Sequence, residues 1–162
     1  MADINLVTNT TLTPSRWAGR VQTPYLVELD VDLVDVIAAK GSALAASDVI
    51  QAMPVPAGTI VLAAGFEKTG VHAGTSTDAT VTVQVGDEAY TAAEAFTTDS
   101  VGTYTVAVAP TADQMTAVAT AGTVDLVLSA FTGTLTEGKV RMYALMLDVA
   151  THPAGGIAQM GS

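Results

Sequence analysis

The chain of 162 residues contains no cysteine, only two histidines and only eight aromatic side chains. Without cysteine it can form neither a disulfide nor a thiolate metal site, so its stability must come from packing and from assembly. The histidines, His72 and His152, are far apart, and neither has metal-ligand spacing or accompanies a Gly-x-Ser-x-Gly nucleophile motif. We therefore predict no enzyme activity, no catalytic or metal site and no cofactor.

Basic residues are also scarce, with six Lys and Arg against sixteen Asp and Glu and a formal net charge of -10. A nucleic-acid groove needs Lys and Arg to neutralise phosphates, so this balance argues against DNA or RNA binding. No apolar run approaches the length of a membrane span, and residues 1–5 do not resemble the start of a secretion signal. We expect a soluble chain that is made without a secretion signal and binds no membrane.

Residues 1–23 show no sustained periodicity and are predicted to form an extended arm. Residues 1–24 carry two Arg and one Asp, for a charge of +1, whereas the remainder carries four bases and fifteen acids, or −11. Arg16, Trp17 and Arg20 have the composition of an interface anchor, because Trp and Arg give large contact energies at protein interfaces. Two interpretations remain open: the arm binds a partner, or it folds back on its own acidic body.

Alternation of apolar and polar residues predicts a β-sandwich domain over residues 24–150. From Tyr25 one face is apolar and the other acidic. After Leu33 the phase slips, which indicates either a β-bulge or a short helix capped by Asp32 and ended by Gly41. The apolar set is Val27, Leu29, Val31 and Leu33, and the acidic row is Glu28, Asp30 and Asp32.

Prolines and glycines divide the rest of the domain. Residues 54–58 are predicted to form a proline corner between two strands, and residues 69–77 a Gly/Thr/Ser loop. Residues 112–121 form a second candidate helix, because they follow a capping-box pattern and precede a glycine. With seven or eight strands and at most two short helices, we predict an all-β antiparallel sandwich, and a jelly roll suits that strand count.

The last strand is predicted over residues 139–149 and is apolar on both faces. Such a strand is covered on both sides, by a second sheet and by a neighbouring subunit or the arm. Residues 151–162, with a proline and two adjacent glycines, are predicted to be a flexible tail. Val140, Met142 and Met146 form one face, and Tyr143, Leu145 and Leu147, the predicted subunit interface, form the other.

The acidic row has two interpretations. Alternate strand positions place its carboxylates side by side at intervals of about 7 Å, and calcium could bridge two of them. Calcium, however, normally takes six to eight oxygens from a loop that wraps it, and a straight strand presents too few. A face in contact with solvent or with a partner is the favoured interpretation.

The chain resembles capsid decoration (cement) proteins of tailed bacteriophages, which have a jelly-roll-like fold. The resemblance lies in residues 24–28, in the segment 47–59 with its apolar continuation, in the Thr/Val/Gly strands and in the closing Val-Arg-Met-Tyr-Ala-Leu at 140–145. It covers most of residues 21–149 and consists of pattern and layout.

This resemblance implies a non-enzymatic protein, often a homotrimer, on the outer capsid surface of a virion made in the host bacterial cytoplasm. Its partner would be the major capsid protein, whose adjacent capsomers it would clamp. Arg16, Trp17 and Arg20 would then contact the capsid or a neighbouring subunit. The alternative is a head-fibre or tail-associated domain that binds host-surface carbohydrate, which predicts exposed aromatic residues along a groove.

Overall fold

The structure, a computed structural model, describes residues 3–5, 23–98, 100–105, 114–129 and 131–149, and it confirms the predicted all-β sandwich. Two sheets are present, and all strand pairs are antiparallel except the first. The elements are β1 (Asp3–Asn5), β2 (Tyr25–Asp32), α1 (Leu33–Lys40), β3 (Val49–Val55), β4 (Thr59–Gly74), β5 (Thr80–Val85), β6 (Glu88–Ala89), β7 (Glu94–Ala95), β8 (Tyr104–Thr105), β9 (Gly122–Leu128) and β10 (Leu135–Asp148).

The strands pair in the nested order of a jelly roll. The first long strand, β2, pairs with the last, β10. The pairs nested inside are β3 with β9, β4 with β8, and β5 with both β6 and β7. Rolling this long hairpin adds the contacts of β10 with β4 and of β9 with β5. One sheet has the order β2-β10-β4-β8, and the other has the order β1-β3-β9-β5 with β6 and β7 along its far edge. If β6 and β7 are taken as one interrupted strand, the two sheets hold eight strands besides β1.

The core lies between the two sheets and consists of the inward residues of every long strand. On β10, alternate residues from Val140 to Met146 are buried, and on β5 so are Val81, Val83 and Val85. The predicted alternation is confirmed for the last strand, because Tyr143, Leu145 and Leu147 occupy its other face and are only half-buried. The outward positions are therefore the ones available for contacts with other molecules.

The phase slip after Asp32 is the start of a helix, so the bulge alternative is wrong. Asp32 caps α1 by accepting a hydrogen bond from the Val34 backbone N–H at 3.0 Å. Gly41 ends the helix in the left-handed conformation, with φ of 74°, and its N–H donates to the Ile37 carbonyl. Leu33 and Val36 are buried, so α1 closes one end of the sandwich.

Several predicted boundaries are wrong. Pro54 belongs to β3, which has a register shift before Met53. Among the described strands only β9 lies beside β3 at Pro54, so the missing backbone N–H of the proline is tolerated there. The reversal is confined to residues 56–58. The predicted loop 69–77 is strand as far as Gly74, and β10 begins at Leu135. Residues 114–121, the described part of the second candidate helix, are turns and irregular backbone.

The short strand β1 lies within residues 1–23, the predicted arm, and pairs in parallel with the start of β3. Residues 6–22 and 150–162, which include most of that arm and the predicted tail, lie outside the described residues. Tyr25 pairs with Met146, so residues 23 and 149 emerge at the same end of the sandwich. The described residues include no helix that is long and apolar enough to span a lipid bilayer.

Candidate functional site

The candidate site is the outer face of the β2-β10-β4 sheet, which we call the outer face. Because paired residues of neighbouring strands point to the same side of a sheet, the register defines rows that run across the strands. Asp32, Lys139 and Gly70 form one row, Asp30, Arg141 and Glu67 the next, Glu28, Tyr143 and Gly65 the third, and Leu26, Leu145 and Ala63 the last.

One end of the outer face is charged, and its acids and bases are paired across strands. Arg141 Nε donates to Asp30 Oδ1 at 3.0 Å, and its Nη1 lies 3.9 Å from Glu67 Oε2. Lys139 Nζ lies 2.8 Å from Asp32 Oδ2. The acidic row predicted on β2 is therefore matched by bases at alternate positions of β10. The sequence shows that Lys139 and Arg141 are two residues apart, as the acids of the row are. It does not show that β10 lies beside β2, so these ion pairs are not among the predictions.

These contacts shift the ionisation of the paired groups. The hydrogen bond from Lys139 and that from the Val34 N–H lower the pKa of Asp32, while Asp32 raises the pKa of Lys139. The hydrogen bond with Asp30 likewise raises the pKa of Arg141. All three groups are thus held in their charged forms near neutral pH. Each pair is exposed and contributes little stability, so the main effect is to fix the pattern of charge.

Acids remain in excess at this end. Glu28, Asp30, Asp32, Glu67 and, from the first turn of α1, Asp35 carry five negative charges against two positive charges on Lys139 and Arg141, a net of −3. Glu28 takes part in none of the ion pairs between described residues, although its charge helps to raise the pKa of Arg141, and it has Tyr143 as its neighbour across the strands. Two shallow depressions of about 450 Å³ each lie here, one lined by Glu28, Leu29, Asp30 and Arg141, the other by Asp30, Val31, Asp32, Asp35, Thr69, Lys139 and Arg141.

The other end of the outer face is apolar. Leu26 is 58% exposed, and Leu145 beside it and Leu147 further along β10 are half-buried. Partial burial raises the pKa of the Tyr143 phenol. The predicted interface residues Tyr143, Leu145 and Leu147 thus lie on one surface, next to the end where residues 23 and 149 emerge. Arg16, Trp17 and Arg20 lie outside the described residues.

Away from the outer face, a lysine is buried in the sandwich. Lys68 of β4 is 3% exposed; its Nζ donates to the Phe96 carbonyl at 2.6 Å and lies 4.9 Å from the centre of the Phe96 ring. His72 Nδ1 is 3.4 Å from the same Nζ, and burial followed by the charge of Lys68 lowers the pKa of His72. This cluster joins β4 to the segment after β7 and has a structural role.

An ion pair between Lys40 and Asp48, away from the outer face, fixes the connection from α1 to β3. Asp48 is buried; it contacts Lys40 Nζ and accepts a hydrogen bond from the Ala45 N–H at 2.8 Å. Lys40 also donates to the Ala43 carbonyl at 2.8 Å. These bonds satisfy both charges within the loop, so they stabilise the fold and leave no group positioned for chemistry.

The acidic row does not assemble a metal site with its neighbours. Across the part of the chain that the structure describes, no group of three or more His, Cys, Asp or Glu side chains could hold a metal ion. Asp30 and Asp32 instead use their oxygens to bind Arg141 and Lys139. These two carboxylates of the outer face thus take part in ion pairs across the strands.

Comparison with known proteins gives a similarity of fold. No protein-family model and no curated protein matches the sequence. Among solved structures, a chain of the "Capsid of Ralstonia phage GP4" is similar, with a TM-score of 0.64 at 15% sequence identity. The match covers 93% of this chain and 100% of that chain. The two chains are similar in fold over that length.

Proposed function

We propose that this chain is a non-enzymatic structural protein of a bacteriophage virion that decorates the outer surface of the head. The observation that carries the proposal is the match of its jelly roll to the whole length of a chain from a phage capsid. The resemblance to decoration proteins, which rests on other features of the sequence, points to the same role. Such a protein stabilises the head by clamping adjacent capsomers of the major capsid protein.

The surface chemistry supports a role in binding large partners. The outer face combines exposed Leu26 with half-buried Leu145 and Leu147 at one end and an acidic patch at the other. Protein interfaces combine apolar contact area with polar and charged surface. Many weak contacts, repeated over the copies on one shell, add up to stable attachment through avidity.

In this proposal the arm provides the clamp. Arg16, Trp17 and Arg20 contact the capsid or a neighbouring subunit, and the chain enters the sandwich at residue 23, beside the apolar end of the outer face. Tyr143, Leu145 and Leu147 form the contact between subunits of a homotrimer. The arm and this contact then belong to one continuous region of the surface.

The decisive experiment uses virus particles produced by the genome that carries this gene. Mass spectrometry of purified particles should detect the protein, and electron cryomicroscopy should place it on the outside of the head. Particles made without the gene should release DNA at a lower temperature, and added purified protein should restore their heat resistance. Absence from purified particles would overturn the proposal.

Variants separate the two contact regions. Arg16→Glu with Arg20→Glu should weaken binding to heads, whereas Arg16→Lys with Arg20→Lys keeps the charge and serves as the control. Leu145→Asp should disrupt the trimer in sedimentation velocity. Thr82→Asp, at a half-buried position on the outside of the other sheet, adds the same charge and should leave the trimer intact.

A further inference from the structure

The edges of the two sheets differ in how far they can accept another strand. An edge strand presents unpaired backbone N–H and C=O groups, and most proteins shorten, cover or distort such edges. Among the described residues, β8 and the edge strands β6 and β7 have two residues each, and β1, with three, covers the start of β3. These edges are short.

The edge formed by β2 is different. It has eight residues, contains no proline and pairs with β10 over its whole length without a register shift. Among the described strands β2 pairs only with β10, so along residues 26–32 its second edge has no described strand beside it. This is a long and regular edge, suited to strand addition.

The charges on β2 indicate which strand it would accept. Outward residues Glu28, Asp30 and Asp32 are all acidic. If β2 paired with β2 of a second copy in antiparallel fashion, acids would stand beside acids, and like charges at such positions are destabilising. The acidic row thus disfavours self-association along this edge and favours a basic partner.

Arg141 and Lys139 occupy only the β10 side of this row. Asp30 keeps a side chain that is 72% exposed even while it binds Arg141, and Glu28 has no ion pair with a described residue. With the net of −3 at this end of the outer face, an added strand with Lys or Arg at alternate positions would place its bases beside Glu28 and Asp30. Backbone bonds would give affinity, and the charges would set the register.

We infer that the edge of β2 over residues 26–32, beside which no described strand lies, binds an extended basic segment of the shell protein, which joins the β2-β10-β4-β8 sheet as a fifth strand. The inference rests on the proposed function, because it takes the major capsid protein as the partner. It adds where the contact lies, which backbone makes it and what charge the partner segment carries.

The test measures binding of purified protein to heads that lack it, by co-sedimentation over a range of concentrations. Glu28→Lys reverses one charge on the edge and breaks no ion pair with a described residue. Glu88→Lys makes the same change at an exposed position of β6 on the other sheet. We expect Glu28→Lys to weaken binding by about tenfold or more, since like charges then meet across the interface, and Glu88→Lys to bind normally.

Hydrogen exchange reports the backbone contact directly. Amides of residues 26–32 should exchange more slowly on heads than in the free protein, while those of β6 should not change. If Glu28→Lys binds as tightly as the unchanged protein, or if β2 gains no protection, the inference is overturned and the proposed function stands. If the unchanged protein fails to bind heads, both are overturned.

Discussion

Lys68 and Phe96 are joined twice inside the sandwich, once through the Phe96 carbonyl, which accepts from Nζ at 2.6 Å, and once through the ring, whose centre lies 4.9 Å from the same nitrogen. The two residues are 28 positions apart, and Lys68 is 3% exposed. This contact holds the segment after β7 against β4. Lys68 is thus one of the buried ionisable residues of the described structure.

Lys68→Met should lower the free energy of unfolding by about 1–3 kcal/mol, because it keeps the length of the side chain but leaves the buried Phe96 carbonyl without this donor. Urea unfolding followed by fluorescence measures the change. Lys139→Met is the control, since it removes an exposed ion pair and should leave the free energy of unfolding nearly unchanged. Equal stability of Lys68→Met and the unchanged protein would mean that the cost of burying the ammonium group offsets its contacts.

His72 should make the stability depend on pH. Burial and the charge of Lys68 lower its pKa from 6.5, so the unfolded chain binds the proton more readily than the folded one. The free energy of unfolding should therefore fall as the pH drops below about 6.5. His72→Gln removes this contribution, and the stability difference between the two proteins, measured from about pH 8 to pH 5.5, should change with pH. Parallel curves would contradict the prediction.

Asp32 has two separable contacts, the cap on Val34 and the ion pair with Lys139. Asp32→Ala loses both and should cost about 1 kcal/mol or somewhat more, as the loss of a helix cap usually does. Asp32→Asn keeps a capping oxygen and loses only the charge, so it should cost less than about 1 kcal/mol. Thermal unfolding measures the difference, and the hypothesis of a functional cap fails if the two variants are equally stable.

Gly138→Ala should destabilise the protein by about 1–3 kcal/mol through overpacking. A Cβ at this position would lie 2.8 Å from Phe96 Cζ and 3.1 Å from Leu33 Cδ1, and the backbone has a φ of +155°. Gly122→Ala is the matched control, because no atom lies within 4 Å of its added carbon. That control should stay within about 0.5 kcal/mol of the unchanged protein in chemical denaturation. A similar cost for both variants would contradict the packing argument.

The wrong prediction of a loop over residues 69–77 has its cause in the glycines of β4. Gly70 and Gly74 were interpreted as loop residues, yet they lie in a strand where β10 passes very close. A Cβ on Gly70 would meet Lys139 Cβ at 2.9 Å, and one on Gly74 would meet the Thr134 carbonyl oxygen at 2.1 Å. Glycine inside a strand often marks such an approach, but the sequence does not show which chain approaches.

The sequence by itself determined which side faces the core in the strands whose residues alternate regularly. In residues 25–33 and 140–147 the alternation of side chains separates inward from outward positions, because successive residues of a strand point to opposite faces. A chain with this pattern in several strands and no long helices can bury its apolar faces only as two packed sheets. The sandwich, the acidic row and the two-faced last strand all follow from that.

Only the tertiary structure decided which strands lie side by side. Asp30 binds Arg141, 111 positions away, because β2 and β10 are the outermost pair of the nested roll. Local periodicity carries no information about such a partner, since the alternation on β10 would be satisfied beside several other strands. The same nesting leaves β2 at the edge of its sheet among the described strands, so the acidic row that the sequence shows comes to lie along a sheet edge.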